Sequence, residues 1–402
     1  MARKNRKASF GPGFLVTAAF IGPGTVTTCS LAGANFGYAL IFALVFAVIT
    51  TIILQGMTGR LSLGSGLDLA QSLRGHSQNR WTRILFIILT LSSITLGCAA
   101  YEAGNIIGGS LGMNLITPVS QKVWVVLIAL VAMLILGAKK YRLVEKVLIF
   151  LVFIMSLSFI TTLIIIKPDI TAILKGFIPT FPKNSLFIIL ALVGTTVVPY
   201  NLFLHSSAVK EKWKTIEHLK DVNRDLLLAV CLGGFISISI VVTSAVAFHA
   251  EGIPLESGIQ MAQQLKPLFG NFANIMFGLG FFAAGLSSAI TAPYAAAYAS
   301  SGILNWKGGQ NSKGFKAVWM GVLLAGMTVA LLNLKPLSVI VFAQVANGII
   351  LPLAAVFLLV VLNNRRKMGQ LANTRRQNII GGIIILIVSV LGLWNILKLF
   401  IK

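Results

Sequence analysis

The chain has little charge and very little acid. Of its 402 residues, 11% are Asp, Glu, Lys or Arg, and only 10 are acidic. A water-soluble globule of this length needs more polar surface than that composition supplies. No polar linker, low-complexity tract or soluble effector segment interrupts it, so residues 1–402 read as a single domain and a non-transporting sensor is disfavoured. The three cysteines, Cys29, Cys98 and Cys231, fall in apolar runs without metal-ligand spacing and read as buried thiols. Inside those runs there is also no nucleophile paired with a base and no metal-binding cluster. The reading is therefore not an enzyme, and no resident metal or cofactor is expected.

Apolar residues make up 56% of the chain and the mean hydropathy is +0.89. Repeated apolar runs of about 20 residues mark an all-α, polytopic membrane protein. About eleven spans fit: 10–37, 38–58, 83–112, 121–137, 143–166, 184–209, 223–249, 266–303, 315–334, 336–363 and 377–400. A formal charge of +23 would suggest nucleic acid in a soluble protein, but here it sorts by side. If the N-terminus is cytoplasmic, that side (1–9, 59–83, 138–146, 210–224, 305–316 and 364–376) holds 25 of the 33 Lys and Arg. Basic residues in short cytoplasmic connections set orientation. The expectation is an integral protein of the cell's inner membrane, N-terminus inside and C-terminus outside, with no nucleic-acid partner and no cleaved signal. The longest polar connections are 59–82, 210–222 and 364–376, and the proline-punctuated 167–183 is expected to be a structured outer loop.

Two spans are broken. Ala19-Phe20-Ile21-Gly22-Pro23-Gly24-Thr25 and Thr195-Thr196-Val197-Val198-Pro199-Tyr200-Asn201 each place proline in the middle of an apolar run. Proline removes a backbone donor and clashes with the preceding turn. Lipid does not tolerate freed backbone groups, so such breaks persist only inside protein or along a cavity. A pair of them in corresponding halves points to a transporter's substrate site. The breaks open two groups of five spans, and an odd number of spans inverts the second group relative to the first.

Few residues could carry chemistry inside the spans. Glu102 is the only acid deep in one, and an intramembrane carboxylate is by default a functional candidate, here for proton carriage. His205 follows Asn201 by one helical turn and is the candidate proton partner. Gly24 and Thr25 start one half-helix, and Tyr200 and Asn201 start the other. Such starts attract carboxylates and other anions. Gln344 and Asn347 lie one turn apart in the tenth span. Gly104, Gly108 and Gly112 recur at four-residue spacing and read as a close helix-packing stripe.

In order along the chain, Gly11-Pro12-Gly13-Phe14-Leu15-Val16, Ala32-Gly33-Ala34-Asn35-Phe36-Gly37-Tyr38, Val198-Pro199-Tyr200-Asn201-Leu202-Phe203-Leu204-His205-Ser206, Ala283-Ala284-Gly285-Leu286-Ser287-Ser288-Ala289-Ile290-Thr291, and Gln344-Val345 with Leu351-Pro352-Leu353 stand out. Over nearly the whole chain these segments resemble the natural-resistance-associated macrophage protein (NRAMP) family of proton-coupled divalent-metal transporters. The resemblance implies a leucine-transporter-like fold with alternating access. It would contain two inverted five-helix repeats at about 10–166 and 184–363, an eleventh helix at about 377–400, and helices 1 and 6 broken.

The family's metal site does not carry over. Where the family's first break has Asp-Pro-Gly-Asn, this chain has Gly22-Pro23-Gly24-Thr25. The family's methionine, proline and histidine in the sixth helix correspond to Val198, Pro199 and Tyr200. Its carbonyl-donating alanine corresponds to Thr195, and its tenth-helix glutamine remains as Gln344. Of the two acidic third-helix positions linked to protons, Glu102 stays acidic and Asn105 is neutral. His205 matches the second family histidine. Moving even a unit ion into a dry interior costs of order 20 kcal/mol in the idealised limit, and a dication is worse. With neither carboxylate nor soft thioether at the breaks, bare Mn²⁺ or Fe²⁺ is disfavoured. Glycine at 22 is expected to open space. The expected substrate is a small organic carboxylate such as citrate, free or metal-complexed, bound by Gly22, Gly24, Thr25, Thr195, Val198, Tyr200, Asn201 and Gln344. A divalent ion, hydrated Mg²⁺ or Mn²⁺, is the alternative. The partners expected are this substrate, protons and the lipid bilayer, with the protein a monomer.

Overall fold

The computed structural model describes residues 11–13, 21–75, 79–138 and 142–400. The basic cluster at 3–7, the apolar stretch 14–20 before the first break, and Lys402 lie outside the described residues. The elements are α1 (Pro23–Phe36), α2 (Ile41–Ser65), α3 (Arg80–Ile116), α4 (Gln121–Ala138), α5 (Arg142–Ile166), α6 (Leu186–Thr196), α7 (Pro199–Lys212), α8 (Leu219–Ser244), α9 (Ala273–Leu304), α10 (Lys313–Leu331), α11 (Pro336–Leu362) and α12 (Arg375–Phe400). Among the described residues, 10 helical segments are long and apolar enough to cross a membrane, with α6 and α7 counted as one interrupted span. α1 follows the first break and has 14 residues, too short to cross alone.

Most spans fall within a few residues of expectation, and the departures have physical causes. α2 runs to Ser65 rather than stopping near 58, because its polar last turns are satisfied by protein instead of water. Ser62 Oγ donates to the Ser206 carbonyl at 2.7 Å, and Arg60 reaches the side chains of Asn373 and Gln377. The supposed polar connection 59–82 is thus partly helix, including a short helix Leu69–Arg74 capped by Asp68. Burial pushes the Asp68 carboxyl above the usual carboxylate range, while the Gln71 backbone N–H and the charge of Lys210 pull it back. The eighth span begins at Ala273 rather than 266, because Gly270 takes a left-handed conformation (φ 51°) that ends the preceding short turn. Residues 167–183 contain a helix, Ile170–Lys175, whose N-cap Asp169 accepts the Thr171 N–H at 2.8 Å. Cys29 and Cys98 are buried, but Cys231 is exposed on the outward side of α8, where lipid rather than protein covers an apolar side chain.

Much of the packing among the described residues repeats when the first five spans are exchanged with the next five. Span three packs on eight, two on seven, four on nine and one on six. Three lies on four as eight lies on nine, and five on eight as ten on three. This is the pseudo-symmetry of an inverted-repeat fold, present in contacts although no residue-level repeat is visible in the sequence. The central crossing of α3 with α9 rests on glycines. A Cβ on Gly285 would run into the backbone of Gly109, and one on Gly112 would lie 2.6 Å from the Phe282 nitrogen. The stripe through Gly104, Gly108 and Gly112 is therefore a packing device. Gly108 adds a second service, because a Cβ there would strike the ring of Pro23 at the first break.

Candidate substrate site at the two helix breaks

The two half-helix starts are built in the same way. α1 starts after Gly22, whose backbone is extended (φ −119°, ψ −172°), with Pro23 as its first residue. α6 stops at Thr196, and α7 restarts at Pro199 after Val198 (φ −75°, ψ 124°). Proline at a first helical position costs no hydrogen bond, since its donor would lack an intrahelical acceptor. Neither start has a side-chain cap, and neither has an acidic residue in its first turn. The positive end of each half-helix is thus not neutralised by its own sequence.

One hydrogen bond ties the breaks together. The hydroxyls of Thr25 on α1 and Thr195 at the end of α6 meet at 2.8 Å, both fully buried. The Thr51 hydroxyl on α2 donates to the Ala47 carbonyl of its own helix at 2.8 Å and lies 3.4 Å from the Thr196 carbonyl at the same turn. Tyr200 lies edge-on to Tyr101 of α3, ring centroids 5.7 Å apart. Gln344 of α11 donates to the Ile340 carbonyl at 3.1 Å and lies so close to Gly24 that a Cβ there would overlap its amide. Val198 is buried at the second break. The structure thus brings Gly22, Gly24, Thr25 and Gln344 together on one side, with Thr195 joined to them through the threonine pair.

The space expected at Gly22 is bounded by one side chain. A Cβ there would lie 2.9 Å from Ser288 Oγ on α9, with Ser288 Cβ the next atom at 3.9 Å, so a larger residue at 22 requires the serine hydroxyl to turn away. Sequence reasoning missed Ser288, Tyr101 and Thr51 as neighbours of the breaks. Ser288 lay within the eighth-helix motif and Tyr101 beside Glu102, the two signals that could have found them.

Several polar atoms around the breaks are buried without a hydrogen-bond partner among the described residues: Tyr101 Oη, Tyr200 Oη, both amide atoms of Asn201, and Gln344 Oε1. Each such group typically costs about 1–3 kcal/mol. Groups of this kind call for a water, an ion or a polar ligand to pair with them.

Glu102 and His205 are held by different neighbours, and no hydrogen bond joins them. Glu102 is fully buried; Oε2 accepts from Asn105 Nδ2 at 3.3 Å, and Oε1 is unpartnered. Gly326 of α10 packs on its stem, where a Cβ would come within 2.5 Å of Glu102 Cγ. His205 turns toward α2, its Nδ1 2.9 Å from Thr58 Oγ1, and that hydroxyl donates to the Gln55 carbonyl at 2.8 Å. A hydroxyl has one proton to give. With that proton directed to the Gln55 carbonyl, the neutral tautomer of His205 that fits carries its proton on Nδ1 and leaves Nε2, without a partner among the described residues, as the acceptor. Among the described residues no three His, Cys, Asp or Glu side chains converge to hold a metal ion.

An interrupted span and a second half-helix that starts at a buried proline, inside a pseudo-symmetric helical bundle, are the architecture of the leucine-transporter fold. The chain belongs to the family described as natural resistance-associated macrophage protein-like, which it matches over residues 13–398. It is 30% identical to a divalent metal cation transporter MntH of Yersinia pestis (strain Pestoides F), over 99% of this chain and 96% of that one. The manganese transporter of Eremococcus coleocola superposes with a TM-score of 0.80 at 21% identity, covering 98% of this chain and 88% of that one. MhsT, solved in complex with L-phenylalanine, superposes with a TM-score of 0.61 at 13% identity, covering 97% of this chain and all of that one (100%). At those identities the two structures establish the fold alone.

Proposed function

We propose that the chain is a proton-coupled secondary transporter whose central site takes a small hydroxycarboxylate, citrate being the type, either free or as its complex with a divalent metal. The observation that carries this reading is the pair of uncapped, acid-free half-helix starts beside the unpartnered amide and hydroxyl groups. Each start carries roughly half a positive charge. A bare dication placed there meets only neutral ligands and two ends of its own sign. An anion reverses that sign, and a metal complex with net negative charge does the same. The second form also fits the divalent metal cation transporters among the relatives. Glu102 would carry the proton, as the acid buried next to Tyr101. Gly22, Val198 and Gln344 would shape the site, and Thr25, Thr195, Tyr200 and Asn201 would meet the ligand's oxygens.

A second reading, transport of a hydrated Mg²⁺ or Mn²⁺, is favoured by those same relatives and by the neutral oxygens at the breaks, which can accept hydrogen bonds from metal-bound water. Proteoliposome uptake separates the two. Labelled citrate, citrate with Mg²⁺ or Mn²⁺, and each ion alone are compared with and without an inward proton gradient. Saturable citrate uptake that rises with the gradient supports the first reading. Saturable uptake of an ion without carboxylate, and no citrate uptake, establishes the second. The split of basic residues supports a cytoplasmic N-terminus in the inner membrane, and we infer that the monomer is the working unit.

A further inference from the structure

Arg60 is a cation set into the wall of the bundle with nothing to neutralise it. It sits one turn before the end of α2 and is only 9% exposed. Its two terminal nitrogens donate to the side-chain oxygens of Gln377 and Asn373, both neutral, and its Nε has no partner. Among the described residues no carboxylate pairs with it; the ion pair that does form, His218 with Asp221, lies elsewhere. Asp225, on the neighbouring α8, accepts the Gly13 N–H instead, at 2.7 Å.

Arg60 closes the polar end of a groove of about 490 Å³ between α2, α8 and α12. Asn223 and Gln377 share that end. From there the groove runs over Ile52, Ile53, Leu226, Leu227 and Ile380, all apolar. The eight steps from Ile52 to Arg60 correspond to about 12 Å along the helix axis. Its apolar rim faces outward: Leu227 and Ile380 are 49% and 44% exposed, on the surface that hydrocarbon covers. Exposed basic residues stand beside the lining residues in sequence: Lys220 and Arg224 next to Leu219 and Asn223 on α8, and Arg375 and Arg376 just before Gln377 on α12.

We propose that this groove binds an anionic phospholipid, its phosphate at Arg60 and one acyl chain along the apolar trough. A buried, unpaired guanidinium calls for an anion with oxygens in fork geometry, which a phosphate offers. An apolar trough continuous with the bilayer calls for a chain that the bilayer itself supplies. Basic recesses between membrane helices on the side rich in Lys and Arg have this chemistry in general. The substrate site is not involved: none of the groove residues lies at either helix break.

The test uses the full-length protein purified in mild detergent, with phosphatidylglycerol as probe. Native mass spectrometry is expected to find phosphatidylglycerol retained, and thermal unfolding is expected to shift upward with phosphatidylglycerol but not with phosphatidylcholine. R60Q removes the charge and should weaken phosphatidylglycerol binding by about tenfold. Because R60Q also loses its ties to Asn373 and Gln377, a second variant is needed. G56L fills the trough from its floor, where an added Cβ meets nothing nearer than Leu226 and Asn223 at 3.9 and 4.0 Å, so the new side chain starts into the open groove. G56L should remain folded and monodisperse and lose the retained lipid. Retention equal to wild type in both variants, equal stabilisation by phosphatidylcholine, or the same stabilisation by soluble glycerophosphoglycerol would each overturn the proposal.

Discussion

Gly22 is where the site departs most sharply from the metal transporters it resembles, and it is also the position most open to experiment. If the site takes an anion, G22D should cut citrate uptake by about tenfold or more, since the new carboxylate repels the ligand and occupies part of its place. Divalent-ion binding, measured by calorimetry, should rise in the same variant. The side chain at 22 must first displace Ser288 Oγ, 2.9 Å from its Cβ, so G22D/S288A is the cleaner version. Unchanged citrate uptake in the double variant would remove Gly22 from the site. Glu102 gives the second residue-level prediction. E102Q keeps the shape and the contact with Asn105 but cannot release a proton. Uptake driven by a proton gradient should be abolished, while substrate-induced thermal stabilisation persists. Gradient-driven uptake that survives E102Q would make the residue structural. The sequence named most of this site because broken apolar runs are rare and legible. It missed Ser288 because a serine in a small-residue helix has no signal of its own. It did not foresee that Glu102 and His205 lie against different neighbours, because helical spacing says which residues share a face but not which neighbouring helix that face meets.

Among the elements, α3 and α9 set the frame against which the broken helices stand. Their crossing depends on glycines that allow backbone to meet backbone, at Gly109 with Gly285 and at Gly112 with Gly278. G285V should overpack that crossing, costing about 1–3 kcal/mol and lowering the melting temperature of the detergent-solubilised protein by roughly 2 °C or more. G321V on α10 is the control: a Cβ there meets nothing within 4 Å, and no loss of stability is expected. A melting temperature equal in the two variants would mean that the crossing can relax. The helix positions were readable from apolar run length alone, and the ends of α2 and α9 were not. Polar residues such as Arg60 and Ser62 look like loop in a sequence, and become helix once Asn373, Gln377 and Ser206 provide their hydrogen bonds. A left-handed Gly270 ended a run that composition alone would have continued.

At the scale of the whole molecule, charge and topology can be tested together. With 25 of the 33 basic residues assigned to the cytoplasmic side, a cysteine placed at Lys398 should react with an impermeant maleimide added to intact cells, and one placed at Lys4 should not. The background for this assay is a chain whose three native cysteines have been replaced, because Cys231 is exposed. The opposite labelling pattern would invert the assignment. The exchange symmetry of the helix contacts belongs to this scale as well. It was hidden in the sequence because apolar packing tolerates many side chains of similar volume, so two halves can keep one set of contacts while sharing few residues.

The hydroxyl pair of Thr25 and Thr195 has a consequence for the transport cycle. Because the two groups satisfy each other at 2.8 Å, the unloaded protein can close over this pair without leaving either hydroxyl unpaired. A carrier whose unloaded form closes readily can reset without a return passenger, so it should support net accumulation rather than one-for-one exchange. Loading the far side of the membrane with substrate should then accelerate uptake only slightly in the wild type. In T25V, the Thr195 hydroxyl loses this contact when the site is unloaded, the reset should slow, and uptake should come to depend strongly on substrate in the opposite compartment.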